Sequence, residues 1–244
     1  MENKDLNEVY NNSAAPYLNS LPGKATHWRS ITNPSQPNYI GVIGGSTFGV
    51  VGDGNHPSLN HPTIVDILEA TGKSWRAFAE DASGTGANLN PPRGEDHFPF
   101  LSYTTITGNP SRAANLLPGG PSEVIAAFNA GVKFIWLTPN ECHNMHSYCG
   151  VDRVVAGDTW LQSWVPQLLA AMAGKRGLVI IWWDEAYASP PYIPLFVAGT
   201  ACKMLVSTTE FNHYSLLKLI ETVWGGGSLG QGDVNANAPT EFLA

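Results

Sequence analysis

Apolar segments rich in β-forming residues alternate along this chain with segments of helical periodicity. The apolar runs predict strands at Ser74–Ala79, Val132–Leu137, Leu178–Trp183 and Ile193–Ala198. The helical patterns lie near Pro62–Ala70, Ser122–Asn129, Trp160–Ala173 and His213–Trp224. Continuous apolar strands that alternate with helices indicate an α/β fold. We therefore predict a doubly wound, mostly parallel sheet with helices on both faces.

The size and composition of the chain predict one globular domain over residues 1–244. A chain of 244 residues can bury a large core, and with 43% hydrophobic and 14% charged residues it is not of the disordered type. Residues 83–120 are rich in Gly, Pro and Asn and predict a long loop excursion. A loop of that length in a compact domain is often functional.

The formal net charge of -7 limits the classes of partner. A chain with this excess of acidic residues is a poor partner for nucleic acid and for an anionic membrane surface, although it can bind a single lipid. No apolar run reaches the roughly 18 residues that a spanning helix needs. We expect a small-molecule partner and no transmembrane segment.

Two carboxylates stand at the end of an apolar run. Asp184 and Glu185 follow Val179–Trp183, which predicts a buried strand, and Thr138–Asn140 follows another predicted strand. In α/β sheets, ligands bind beyond the carboxyl ends of the strands. Adjacent acids in such a place are costly to desolvate unless a cation or a basic group lies between them. The alternative is the start of a solvated loop.

A candidate nucleophile lies in the segment 34–49. Ser35 has the residue type of a helix N-cap. Pro37 fits the first turn of the helix that would follow, because the N–H that proline lacks has no partner there. Amide groups at a helix start attract phosphate, and a serine held there is a candidate nucleophile once its pKa is lowered. The alternative is an ordinary capped helix.

Oxygen-bearing side chains in three segments form one candidate ligand set: Glu2, Asn3, Ser35, Asp184 and Glu185. Such a set suits a hard divalent cation. A cation in this position can ionise the serine and neutralise a phosphoryl oxygen.

Several motifs in this order resemble those of one enzyme family, and they span nearly the whole chain. They are Met1–Asn3, Pro34–Tyr39, His97–Phe100, Thr138–Asn140 with His146, Gly157–Leu161, Trp183–Glu185 and Asn212–Leu217. The set resembles the phosphoesterase family of acid phosphatases and bacterial phospholipases C, within the alkaline-phosphatase-like superfamily.

The resemblance implies a metal-dependent hydrolase of phosphoric esters. Ser35 would attack phosphorus and form a phosphoserine intermediate, while His97, His146 and His213 would stabilise the phosphoryl group or protonate the leaving group. Glu2, Asn3, Ser35, Asp184 and Glu185 would hold one divalent ion (Zn, Ca, Mg or Mn), with a second ion possible.

Three functions stay open at this point. A phosphomonoesterase of the acid-phosphatase type is preferred, and a phospholipase C-like phosphodiesterase acting on phospholipid head groups is the runner-up. The third is an inactive domain that binds an anion or a partner. The metal content and the turnover of a chromogenic phosphate would separate enzyme from binder.

The candidate histidines and one aspartate have structural alternatives. His97 could be a surface-loop residue, and His213, which opens a predicted helix, could act in capping or packing. His143 matches no motif clearly and could be exposed to solvent. Asp158 is predicted to be the N-cap of the helix that begins at Thr159.

The three cysteines allow two interpretations. The resemblance implies a disulfide between Cys142 and Cys149, as in secreted relatives, with Cys202 left over. Zinc bound by Cys142, His143, His146 and Cys149 is the alternative, although the spacing is not that of a standard finger.

The chain departs from the family pattern in several places. Relatives carry an apolar strand directly ahead of the Met1–Asn3 element, so this sheet is expected to lack its first strand. The family is mostly periplasmic or extracellular, whereas this sequence shows no signal peptide. Asn144 replaces a common aspartate and Ala186 a common glycine. The short loop after Glu185 suggests a pocket that is open on that side.

Overall fold

The computed structural model describes residues 1–187 and 192–244 and divides into two compact units. The first unit comprises Met1–Ser30, Glu141–Asn212 and Pro239–Ala244. The second comprises Ile31–Asn140 and His213–Ala238. Part of the loop after Glu185, for which the sequence suggests an open pocket, falls on residues 188–191 and lies outside the described residues.

Both units contain helices and strands. The helices are α1 (Leu6–Val9), α2 (Pro16–Ser20), α3 (Ser35–Gly44), α4 (Ile64–Ala70), α5 (Thr104–Thr107), α6 (Pro110–Ala113), α7 (Pro121–Asn129), α8 (Arg153–Ala171) and α9 (His213–Trp224). The strands are β1 (Gly23–Arg29), β2 (Trp75–Ala79), β3 (Leu116–Pro118), β4 (Phe134–Thr138), β5 (Val179–Trp182), β6 (Tyr192–Ala198), β7 (Leu205–Ser207) and β8 (Phe211–Asn212).

The first unit contains a mixed sheet in the order β5-β6-β1-β7, with β8 also paired to β1. β1 pairs in parallel with β7 and β8 and antiparallel with β6, which is itself antiparallel to β5.

The second unit contains a parallel sheet in the order β3-β2-β4. Helix α3 packs against α9 in this unit, and all ten residues of α3 are buried. Close packing at its end requires Gly44, because a Cβ there would overlap the hydroxyl of Tyr103. That hydroxyl donates to the carbonyl of Ile40 at 2.9 Å.

The predicted α/β fold with parallel pairing is confirmed, and the predicted strands correspond to β2, β4, β5 and β6. The helix predicted near Trp160 begins earlier, at Arg153, because Asp152 caps it by accepting the amides of Val154 and Val155. The expectation that Asp158 is the N-cap of this helix is therefore wrong.

Residues 83–120 contain short elements joined by turns. Turns of 3₁₀-helix lie at Gly86–Asn88, Gly94–Asp96 and Pro99–Ser102, followed by α5, α6 and β3. Across both described ranges of the chain, every helix is too short or too polar to cross a bilayer.

Candidate active site

The segment Met1–Asn3 lies along the end of β5 in the first unit. The nitrogen of Met1 donates to the carbonyl of Trp182 at 2.9 Å, and the amide of Asp184 donates to the carbonyl of Met1 at 3.1 Å. The amide of Asn3 then donates to Oδ1 of Asp184 at 3.0 Å. Two of the predicted ligand segments, 181 residues apart in sequence, thus meet at one strand end.

The carboxylates at this strand end are withdrawn from solvent. Glu2 and Asp184 are 0% exposed and Glu185 is 4% exposed. The pKa of the Tyr187 phenol is raised, first by partial burial and then by the charges of Glu185, Asp184 and Glu2. The alternative of a solvated loop start is therefore wrong. Buried carboxylates of this kind require compensating positive charge or hydrogen bonds.

Asn3 has the left-handed backbone conformation that asparagine tolerates, with φ of 51°. Its side-chain Oδ1 is buried and accepts no hydrogen bond within the described chain. Its carbonyl accepts from Nζ of Lys4 at 2.8 Å. Burial lowers the pKa of the Lys4 ammonium, while the charges of Glu8, Asp152 and Asp184 act in the opposite direction. The site thus holds a buried amide oxygen with unused acceptor capacity.

The predicted ligand set divides between the two units. Glu2, Asn3, Asp184 and Glu185 belong to the first unit and Ser35 to the second. In the part of the chain that the structure describes, no cluster of three or more His, Cys, Asp or Glu side chains is arranged to hold a metal. Side-chain oxygens of other residue types, such as the amide of Asn3, are needed to complete a hard-cation site.

Ser35 is the first residue of α3, and its predicted role as N-cap is wrong. Pro34 occupies the cap position, in extended conformation and without a side-chain cap bond. The next amide of the helix start is already engaged, since Gln36 N–H donates to Oδ1 of Asp53 at 2.8 Å. The Gln36 side chain also exchanges two hydrogen bonds with the backbone of Asn55. The amide of Gln36 is therefore not available to bind a phosphate at this helix start.

Asn38 fixes the loop that leads into Ser35. Its Oδ1 accepts the amides of Ile31 and Thr32 at 2.8 and 3.1 Å. Its Nδ2 donates to the carbonyls of Thr32 and Pro34 at 2.7 and 3.0 Å. One fully buried side chain thus holds four backbone groups just ahead of the candidate nucleophile.

His97 is buried in the second unit, so its interpretation as a surface-loop residue is wrong. Its ring lies 5.5 Å from that of Tyr39, and its carbonyl accepts from Thr138 Oγ1 at 2.9 Å. Thr138 ends β4, so His97 is tied to the carboxyl end of the parallel sheet. His213, the first residue of α9, is fully buried in the same unit.

A disulfide between Cys142 and Cys149 closes the loop that carries His146, which confirms the pairing implied by the resemblance. Cys202 is a free thiol. Because both sulfurs are in the disulfide, the alternative zinc site is excluded. His143 is half-buried, with its ring 5.0 Å from that of Trp160.

Asp158 lies inside α8 and caps a different helix. Its two carboxylate oxygens accept the amides of Tyr17 and Leu18, in the first turn of α2, at 3.0 and 2.8 Å. Burial raises the pKa of the Asp158 carboxyl, and these two hydrogen bonds act against the rise. Its role is therefore to join two helices of the first unit.

Sequence reasoning missed Glu141 and Asn38. Glu141 Oε2 lies 3.1 Å from Nδ1 of His146. The signal that could have identified Glu141 is its position just ahead of the Cys142–Cys149 pair. For Asn38 it is a buried polar residue among apolar neighbours in a helix, since such a residue needs partners.

Sequence comparison matches this chain to one enzyme family and to acid phosphatases. The model of the Phosphoesterase family matches residues 7–226. An acid phosphatase from Aspergillus fumigatus is 26% identical over 97% of this chain and 56% of its own length. A phosphate-repressible acid phosphatase from Penicillium chrysogenum is 28% identical, over 87% and 54% respectively. The chain thus spans about half the length of these fungal relatives.

A bacterial relative is matched over more of its length. A phosphatidylinositol-3-phosphatase from Mycobacterium tuberculosis is 25% identical over 92% of this chain and 74% of its own.

Solved structures show the same fold. A protein of the alkaline phosphatase superfamily from Vibrio parahaemolyticus has a TM-score of 0.59 at 12% identity, covering 95% of this chain and 66% of its own. The lipoteichoic acid synthase from Listeria monocytogenes has a TM-score of 0.62 at 10% identity, covering 97% and 74%. The fold is that of the alkaline phosphatase superfamily.

Proposed function

The chain belongs to the Phosphoesterase family, and from this premise we propose that it hydrolyses phosphoric monoesters through a phosphoserine intermediate, assisted by a divalent cation. The observation that carries the proposal is the meeting of Met1–Asn3 with Asp184 at the end of β5. It gathers buried oxygen donors from two motifs that are distant in sequence.

The donor chemistry of this strand end fits a hard cation. Asn3 offers a buried amide oxygen that accepts no hydrogen bond in the described chain, beside the buried carboxylates of Glu2 and Asp184. Carboxylate and amide oxygens are the ligands that Mg²⁺, Ca²⁺ and Mn²⁺ prefer. We propose Glu2, Asn3, Asp184 and Glu185 as its ligands, together with Ser35, as the family resemblance implies. When bound, the cation supplies positive charge that lowers the pKa of the serine and neutralises a phosphoryl oxygen.

Ser35 is the proposed nucleophile. Its ionised Oγ forms a bond to phosphorus while the ester bond to the leaving alkoxide breaks. The alkoxide takes a proton from a protonated histidine, for which His97, His146 and His213 are the candidates. Water then attacks the phosphoserine, releases inorganic phosphate and returns a proton to the histidine. Atoms and charge balance over the two steps.

The names of the relatives favour a monoester as substrate. Both fungal relatives are named acid phosphatases, and the mycobacterial relative is named a phosphatidylinositol-3-phosphatase. We therefore propose soluble phosphomonoesters or a phosphorylated lipid head group, with phosphodiester cleavage as the alternative. The Cys142–Cys149 disulfide supports an exported protein, since structural disulfides persist in oxidising compartments.

Steady-state assays on metal-stripped and reloaded protein test the proposal. We expect p-nitrophenyl phosphate turnover to vanish on chelation, to return with a divalent cation and to be lost in Ser35→Ala. Glu210→Gln is a matched surface control, because Glu210 is exposed and pairs with Arg29 at the surface. A preparation that turns over bis(p-nitrophenyl) phosphate faster than the monoester would contradict the monoester assignment. Full activity after exhaustive chelation would contradict the role of the cation.

A further inference from the structure

Three residues around the disulfide loop (residues 142–149) contact one another, and His146 Nδ1 also lies 3.3 Å from Ser147 Oγ. Glu141 Oε2 lies 3.1 Å from His146 Nδ1. Glu141 Oε1 accepts from Asn144 Nδ2 at 3.2 Å. Asn144 Oδ1 in turn accepts the backbone amide of His146 at 2.8 Å.

The backbone of the loop holds this set in place. The disulfide closes the loop, and the amide of Ser147 donates to the carbonyl of Glu141 at 2.8 Å. Asn144 is 1% exposed, and its carbonyl accepts the amide of Glu2 at 2.8 Å. The loop is therefore tied to the strand end that carries the proposed cation ligands.

An asparagine suits position 144 for a chemical reason. Its amide donates through Nδ2 to the carboxylate of Glu141 and accepts through Oδ1 from the amide of His146. An ionised aspartate could do only the second and would repel Glu141. Asn144 thus leaves one oxygen of Glu141 directed to the imidazole.

We propose that Glu141, held by Asn144, is a positioning residue for His146. Its carboxylate accepts the Nδ1 proton of the imidazole, so that Nε2 is the nitrogen that exchanges a proton during the reaction. A carboxylate in this position fixes the tautomer and stabilises the imidazolium. The inference rests on the proposed function, in which His146 gives its Nε2 proton to the departing alkoxide and regains one during hydrolysis of the phosphoserine.

A double-mutant cycle tests whether Glu141 acts through His146. We expect Glu141→Gln to lower kcat about tenfold and to change KM less than twofold. The tenfold loss is smaller than the roughly 100-fold or greater contribution of a general acid, because His146 itself is retained. In the His146→Ala background the same change should alter kcat by less than twofold, because the partner is gone. Glu141→Asp, which keeps the charge, should recover part of the loss, and Glu210→Gln should leave kcat unchanged.

Nitrogen-15 NMR of labelled histidine gives a readout that does not depend on turnover. The neutral His146 ring should carry its proton on Nδ1 in the unaltered protein. In Glu141→Gln the proton should shift toward Nε2, and the pKa of the ring should fall because the carboxylate that stabilises the imidazolium is gone.

Either of two results would overturn the inference. One is a loss of kcat from Glu141→Gln that is equally large with and without His146. The other is an unchanged tautomer and pKa of His146 in Glu141→Gln. Failure of the proposed function has a separate signature, which is an unaltered protein without phosphatase turnover whose His146 still carries its proton on Nδ1.

Discussion

Replacement of Asn38 by alanine is expected to lower both the stability of the protein and its catalytic rate. The change Asn38→Ala removes four hydrogen bonds from the backbone groups of residues 31–34, just ahead of Ser35. Each such bond contributes about 1 kcal/mol net, and backbone groups that stay buried without partners cost more. Since the loop residues are partly exposed, water replaces some of these partners. We therefore expect a loss of about 3 kcal/mol in the free energy of unfolding.

This loss leaves a folded protein that can be assayed. A domain of ordinary stability has about 5–15 kcal/mol, and for this chain length about 3 kcal/mol corresponds to a fall in Tm of about 6–12 °C. Displacement of Ser35 should lower kcat by about 100-fold, as misplacement of a reacting group does. Urea unfolding and phosphatase assays at a temperature well below both midpoints measure the two effects separately.

Two matched variants sharpen this test. Asn38→Asp keeps the acceptor for Ile31 and Thr32 but sets a carboxylate oxygen against the carbonyls of Thr32 and Pro34, so it should be at least as harmful as Asn38→Ala. Asn115→Ala removes one long, exposed hydrogen bond to Ser111 and should cost less than about 0.5 kcal/mol. An Asn38→Ala protein within about 1 kcal/mol of the original, the worth of a single hydrogen bond, and with unchanged kcat would refute the reasoning.

Three further outcomes are expected. Chelation of the cation should lower Tm, and added Mg²⁺ or Mn²⁺ should restore it in proportion to the logarithm of its concentration; a Tm that does not respond would contradict the cation site. Cys142→Ser should cost about 2 kcal/mol in urea unfolding, the entropy of so short a loop, whereas Cys202→Ser should be silent; equal effects would contradict this. Burial raises the pKa of the Glu221 carboxyl, and so does the hydrogen bond that its protonated form donates to Asp233. The stability that this proton contributes is therefore complete below the unfolded value of about 4.3 and is lost as pH rises through the folded value. The Tm of Glu221→Gln relative to the unaltered protein should therefore rise as the pH increases above about 4, and a constant difference would contradict the assignment.

The strands and carboxylates that carry the candidate site were predictable because their signals are local. The apolar run at 178–183 followed by two acids is enough to predict β5 and the buried carboxylates at its end. Helix α9 shows the periodicity of a half-buried helix and lies where that periodicity predicts it.

Other features were not predictable because they depend on distant partners. β1 has the mixed sequence Gly-Lys-Ala-Thr-His-Trp-Arg and becomes a strand through pairing with β6, β7 and β8. Asp158 has the residue type of a cap, yet the helix it caps lies 140 residues away in sequence.

The phosphoserine intermediate offers the most direct test of the proposed reaction. The protein, loaded with a divalent cation, is mixed with a phosphomonoester, quenched in acid within milliseconds and digested for peptide mass spectrometry. We predict one phosphate on the peptide that contains Ser35, in an amount that saturates with substrate, and none in Ser35→Ala. Turnover without a phosphorylated peptide, or with the phosphate on a residue other than Ser35, would contradict the account.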